Sequence, residues 1–229
     1  VSPKIAEDCK VVLENDRVQE AFKFLEGDGE QRIAEQIMLA KIPAATFHEK
    51  EKAEKYCEIM RSLGLINVHL DSHNNAMGTR KGAGNGPVIV MEAHMDTVFP
   101  LDTKLDVRRE GSTVYCPGIT DDTSGMAMIL SVIRAMNAAG IETTGDIIFG
   151  GTVGEEGLGG LCGMRDLVAE NHFDAAICID GSGFGKINCD CMGDKVIVFS
   201  FYGKGGHASG AFGMVANTIN AASSAISKI

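Results

Sequence analysis

Short apolar runs that each break off in histidine or acid are the feature that most limits what this chain can become. Val88-Ile89-Val90-Met91 leads into His94-Met95-Asp96-Thr97, the stretch Asp146 to Val153 empties into Gly154-Glu155-Glu156-Gly157, and Ala175 to Ile179 ends in Asp180-Gly181. Runs apolar at every position suit strands buried on both faces, as in parallel sheets, rather than strands with one wet face. Between the first two runs, Met126, Met128, Ile129, Val132, Ile133 and Met136 recur at helical spacing across Asp121 to Ala138. Strand alternating with helix is the pattern of an α/β protein, and open α/β sheets offer ligands the carboxyl ends of their strands.

The rest of the chain fits that frame. Three helices are predicted between Asp16 and Leu65, the last from His48 to Leu63 and stopped at Gly64, a favourable helix-ending residue. A short strand over Asn67 to Leu70 and an Asn74-Asn75 turn follow, and later a helix around Met164 to Glu170. Beyond the glycine-rich stretch Gly181 to Asp194 come a predicted strand at Lys195 to Tyr202 and a helix from Met214 to Ile229. The fold class is therefore α/β, with a domain over 1–190 and the beginning of a smaller one over 191–229. A net charge of −10 and the absence of any apolar run near the roughly 20 residues of a membrane span argue against nucleic-acid and membrane partners. Seven scattered cysteines fit reduced thiols and a cytoplasmic location better than a disulfide framework.

Four places carry chemistry. At period two, His94 and Asp96 point the same way, roughly 7 Å apart along the strand. Both could ligate a cation, or Asp96 could hold the other ring nitrogen of His94. Alone, His94 would read as a core histidine at a strand end. Asp121 and Asp122 open an apolar helix; one carboxylate serves as cap, and the other is free to bridge cations. Glu155 and Glu156, flanked by glycines after a buried strand, can divide the work of metal ligand and general base. Asp180 alone would read as a turn former. Four such ends with hard oxygen donors predominating point to one or two divalent cations, zinc first. Gly181 to Lys186 is one residue short of a phosphate-binding loop, and Ser209 lacks the glycine spacing of a nucleophile elbow. Cys189-x-Cys191 has no second ligand pair and is assigned no function.

These four motifs, in this order, resemble the dinuclear zinc metallopeptidases and amidohydrolases that include tripeptidase T, glutamate carboxypeptidases, aminoacylases and acetylornithine deacetylases. The resemblance implies a zinc-peptidase-like catalytic domain with a mixed, mainly parallel sheet flanked by helices, followed by the start of an α+β lid or dimerisation domain. It implies His94 and Asp180 on one zinc, Asp121 bridging, Glu156 on the second zinc, Glu155 as general base, Asp96 orienting His94, and a cis peptide at Asp121-Asp122. Cobalt or manganese could substitute for zinc. Gly203-Lys204-Gly205-Gly206-His207-Ala208-Ser209 resembles the start of the lid, whose histidine, here His207, stabilises the substrate carbonyl in a neighbouring subunit. The implied activity is cleavage of small peptides, or of N-acyl amino acids, by zinc-activated water in a homodimer. The family takes a further histidine for the second zinc from beyond the lid. None of His48, His69, His73 and His172 sits in a matching context, so the chain is expected to be a piece of a longer enzyme, or an inactive metal-binding remnant.

Overall fold

The computed structural model describes residues 2–181, 185–190, 193, 195–211, 213 and 217–228. They divide into two compact units, Val1–Lys186 and Ile187–Ile229. The first unit opens with helices α1 (Pro3–Leu13), α2 (Asp16–Gly27), α3 (Gly29–Ala40) and α4 (Lys50–Ser62). The first of these lies before the predicted helical region; Pro3 sits in its first turn and the Ser2 hydroxyl accepts from the Ile5 N–H, which starts a helix that buries no side chain.

Strands β1 (Ile66–Leu70), β2 (Ala76–Arg80), β3 (Ile89–His94), β6 (Ile147–Thr152) and β7 (Ala175–Cys178) form one sheet in the order β1-β2-β6-β3-β7, and β4 (Arg108–Glu110) pairs with β5 (Thr113–Tyr115) in a separate hairpin. The sheet is mixed: β1, β2 and β6 pair antiparallel, whereas β6, β3 and β7 run parallel. The sequence reading missed β2. Its Ala-Met-Gly-Thr-Arg carries weak strand propensity, and Gly78 sits where a side chain would press to 3.1 Å from Leu65. The β4–β5 hairpin was likewise not expected.

Helix α5 (Thr123–Ala138) and α4 cover one face of the sheet, where Tyr56, Met60, Met126, Ile129, Leu130, Ile133 and Phe149 are fully buried. Helix α6 (Cys162–Glu170) covers the other, packing Leu167 and Met164 against Met77 and Val90. Burial on both faces is the reason β3 and β6 read as continuous apolar runs. The β1–β2 turn is tied to the site region by Asn75, which is fully buried. Its side chain accepts from the Val153 N–H at 3.0 Å and donates to the Gly163 carbonyl at 3.0 Å.

In the second unit, residues 195–202 form no strand, since a strand needs a partner to pair with and no described residue pairs there. Helix α7 (Thr218–Ile226) starts at an Asn217 cap; residues 214–216, where the helix was predicted to begin, lie outside the described residues, as do Ser182 to Phe184 and Cys191. Among the described residues no helix is long and apolar enough to cross a membrane.

Candidate metal centre

Parallel pairing of β3 with both β6 and β7 brings their carboxyl ends to one place. His94 closes β3 opposite Thr152 of β6, and Glu92 pairs with Cys178 of β7, so Asp180 stands level with His94. The turn Gly154 to Glu156 leaves β6 beside them. The Asp121–Asp122 peptide, which is cis, enters α5 there, with Asp122 Oδ1 capping the helix through the Gly125 N–H at 3.0 Å. A Cβ at Gly125 would stand 2.4 Å from the Ile179 carbonyl oxygen, so only glycine lets α5 approach the end of β7 this closely.

Two sets of donors converge. His94, Asp121 and Glu156 each bring a ligating atom within 4.8 Å of the others, and so do His94, Asp122 and Asp180. His94 is common to both, and its Nε2 lies 2.9 Å from Asp121 Oδ1. Every ligand expected from the sequence is therefore in one of the sets, but the acid grouped with Asp180 is Asp122, not Asp121. Of the two acids, one of which was expected to cap the helix, Asp122 does so through Oδ1, while its Oδ2 is the one buried side-chain oxygen among the described residues with no hydrogen-bond partner. A buried orphan carboxylate oxygen aimed among histidine and acid donors suits a divalent cation as its partner, because leaving it bare is costly.

The electrostatics agree. Burial, reinforced by the charges of Asp180 and Glu92, pushes the Asp122 carboxyl up to about 8, against the opposing pull of His94. Burial also raises Glu155 and Glu156, and the neighbouring acids add to it. For His94 burial works to lower the pKa, but Asp96, Asp122 and Glu155 outweigh it and lift the ring to about 10. A single imidazole thus answers a crowd of carboxylates, a surplus of negative charge that suits divalent cations with mixed nitrogen and oxygen ligands.

Asp96 matches the second of the two alternatives left open by the sequence, set against the other ring nitrogen of His94, and adds a further contact. It is fully buried, and its carboxylate is in neither donor set: Oδ1 accepts from the Glu155 N–H and Oδ2 from the Glu156 N–H, each at 3.0 Å, with the Thr46 hydroxyl on Oδ2 at 2.9 Å. His94 Nδ1 lies 3.1 Å from the Asp96 carbonyl and 3.5 Å from its carboxylate. Asp96 therefore anchors the glutamate turn as well as the imidazole. Two residues near it escaped the sequence reading. Glu49, 4% exposed, accepts from the Gly154 N–H at 3.0 Å, and Lys52, 1% exposed, lines a small cavity with Thr97 and Pro117. Burial brings the Lys52 amine down to about 8, with Asp96, Cys116 and Glu49 partly restoring it. In Glu49-Lys50-Glu51-Lys52 both look like members of a solvated helix face, and only their packing reveals them.

Other histidines are engaged elsewhere. His73 bridges Asp166 at 2.9 Å and Glu170 at 3.2 Å, and His69 Nδ1 meets the Asn67 carbonyl at 2.7 Å. His207 belongs to the second unit, where its Nδ1 is 3.0 Å from the Ser209 hydroxyl.

The fold is an α/β domain whose parallel strands bring two candidate cation-binding donor sets together at their carboxyl ends. Residues 90–197 match peptidase family M20/M25/M40. The chain is 31% identical over 144 residues to carboxypeptidase G2 from Pseudomonas sp. (strain RS-16), a match covering 60% of this chain and 34% of that protein. It is 29% identical over 175 residues to succinyl-diaminopimelate desuccinylase from Corynebacterium glutamicum, covering 75% of this chain and 47% of that one. Among solved structures it resembles a tripeptidase from Staphylococcus aureus, with TM-score 0.60 and 25% identity over 87% of this chain and 56% of that one. The chain thus spans between about a third and somewhat over half of the length of these relatives.

Proposed function

We propose that this chain is the metal-binding part of a hydrolase that cleaves the peptide bond of small peptides, in the manner of a tripeptidase or other exopeptidase. The observation that carries the reading is Asp122 Oδ2, buried and without a partner beside His94 and Asp180. His94, Asp122 and Asp180 would hold one zinc ion and His94 or Asp121 with Glu156 a second, with cobalt or manganese as substitutes. Bound zinc supplies a Lewis acid for the scissile carbonyl and lowers the pKa of a water molecule. Glu155 then removes a proton from the attacking water and returns it to the departing amine. The raised pKa of Glu155 suits it to both halves of that transfer. Asp96 fixes His94 and, through two backbone N–H groups, the turn that carries Glu155.

Within the same reading, 1–190 is the catalytic part and 191–229 the start of a lid or dimerisation domain in which His207 reaches the substrate carbonyl of a partner subunit. The whole protein would act as a cytoplasmic homodimer. A second substrate class, N-acyl amino acids, is favoured by the similarity to the desuccinylase.

The test is the Glu155→Gln variant of the zinc-loaded protein, assayed on a tripeptide panel and on N-acyl amino acids with zinc content measured alongside. Turnover should vanish while zinc content stays near that of the parent. Near-normal turnover would remove Glu155 from the mechanism. A parent chain that binds zinc yet hydrolyses neither class would leave a metal-binding remnant in place of an enzyme.

A further inference from the structure

The turn that carries Glu155 is held at three successive backbone N–H groups, and all three end on buried carboxylates. Glu155 and Glu156 donate to Asp96, while Gly154 donates to Glu49 Oε1 at 3.0 Å. Glu49 immediately precedes α4, the position from which a side chain ordinarily caps its own helix, yet it makes no capping hydrogen bond there. Its carboxylate turns instead to a segment 105 residues away, and the same oxygen accepts from the Phe47 N–H at 2.9 Å. Phe47 is a non-glycine residue with φ of 70°, a conformation that costs energy unless its surroundings hold it. One residue earlier the Thr46 hydroxyl reaches Asp96. Residues 46–49 therefore grip both carboxylates that grip the turn, and Lys52, one helical turn on, places a buried amine among the same charges.

We propose that Glu49 is a positioning residue, which through the Gly154 N–H fixes the Gly154–Glu156 turn and hence where the Glu155 carboxylate stands. The consequence for turnover rests on the base role of Glu155 proposed above. A single oxygen of Glu49 accepts from both the Gly154 and the Phe47 N–H groups, so Glu49 ties the turn directly to the segment before α4. A side chain at Gly154 would be strained: its φ is +62° and a Cβ there would lie 2.3 Å from Cys162 Sγ. Catalytic groups displaced by about 1 Å lose on the order of 100-fold in rate.

The experiment compares Glu49→Ala and Glu49→Gln in the zinc-loaded protein. It reads hydrogen exchange at the Gly154 amide by NMR, zinc content, and kcat and KM on a tripeptide. Glu49→Ala should accelerate exchange at Gly154 at least about 10-fold and lower kcat about 10- to 100-fold, with KM and zinc content within about twofold of the parent. Glu49→Gln keeps an oxygen for both N–H groups and should recover most of both losses. Unchanged exchange at Gly154 in Glu49→Ala would overturn the proposal. So would a fall in melting temperature with kcat intact, or a glutamine variant no better than alanine. Should the parent chain show no turnover, exchange at Gly154 with its rescue by glutamine still decides the anchoring role, and it is the hydrolase reading that fails.

Discussion

Lys52 offers a test of the interior that requires no substrate. Its side chain is 1% exposed, and burial brings the amine from 10.5 to about 8 in the folded protein. The folded pKa lies below the unfolded one, so between pH 8 and 10.5 the unfolded chain binds a proton there that the folded chain has released. Stability therefore rises with pH across that window and is unaffected by this group below it. A difference of 2.5 pKa units corresponds to about 3 kcal/mol. The perturbation is Lys52→Met, which removes the titration while keeping the length and apolar stem of the side chain. Urea denaturation of parent and variant, under reducing conditions at intervals from pH 7 to 10.5, gives two stability curves whose difference isolates Lys52 from groups common to both. The parent should gain on the variant by about 3 kcal/mol as pH climbs from 8 to 10.5, with no relative change between 7 and 8. A flat difference across the window would mean that the amine titrates as it does in water, and the picture of a buried amine behind Asp96 and Glu49 would be wrong.

Two further outcomes follow from the contacts. If His94, Asp122 and Asp180 hold a zinc ion as proposed, Asp180→Asn should lose it, whereas Glu156→Gln should leave it in place; calorimetric titration with zinc distinguishes them, and equal loss in both would contradict the two donor sets. Asn75→Ala would orphan the Val153 N–H and the Gly163 carbonyl in a fully buried site, at a cost of about 2–3 kcal/mol in urea denaturation. A loss under 0.5 kcal/mol would show that water replaces the amide.

The alternation of strand and helix, and the positions of His94, Asp121, Glu155, Glu156 and Asp180 at element ends, are legible in the amino-acid order alone. The reason is local: a strand buried on both faces must be apolar throughout, so a charged residue at its end stands out against the run that precedes it. The cis Asp121–Asp122 peptide was anticipated from family resemblance, not from composition or spacing. Strand β2 stayed hidden because its central glycine is explained only by Leu65 pressing on it. Helix α1 was missed because it buries nothing, so no apolar stripe marks it.

What the acids do relative to one another depends on how distant segments pack. Asp121 and Asp122 are indistinguishable as neighbours in a helix-opening pair. Asp121 is exposed and Asp122 buried where the start of α5, at Gly125, closes on the Ile179 carbonyl just past β7. The distinction between Asp96 as ligand and Asp96 as anchor depends on backbone N–H groups that arrive from a turn 59 and 60 residues away. Glu49 and Lys52 sit in a charged stretch that any helix could turn to solvent, and the folded chain buries them because the Thr46–Glu49 segment is the part of the molecule that reaches behind the glutamate turn.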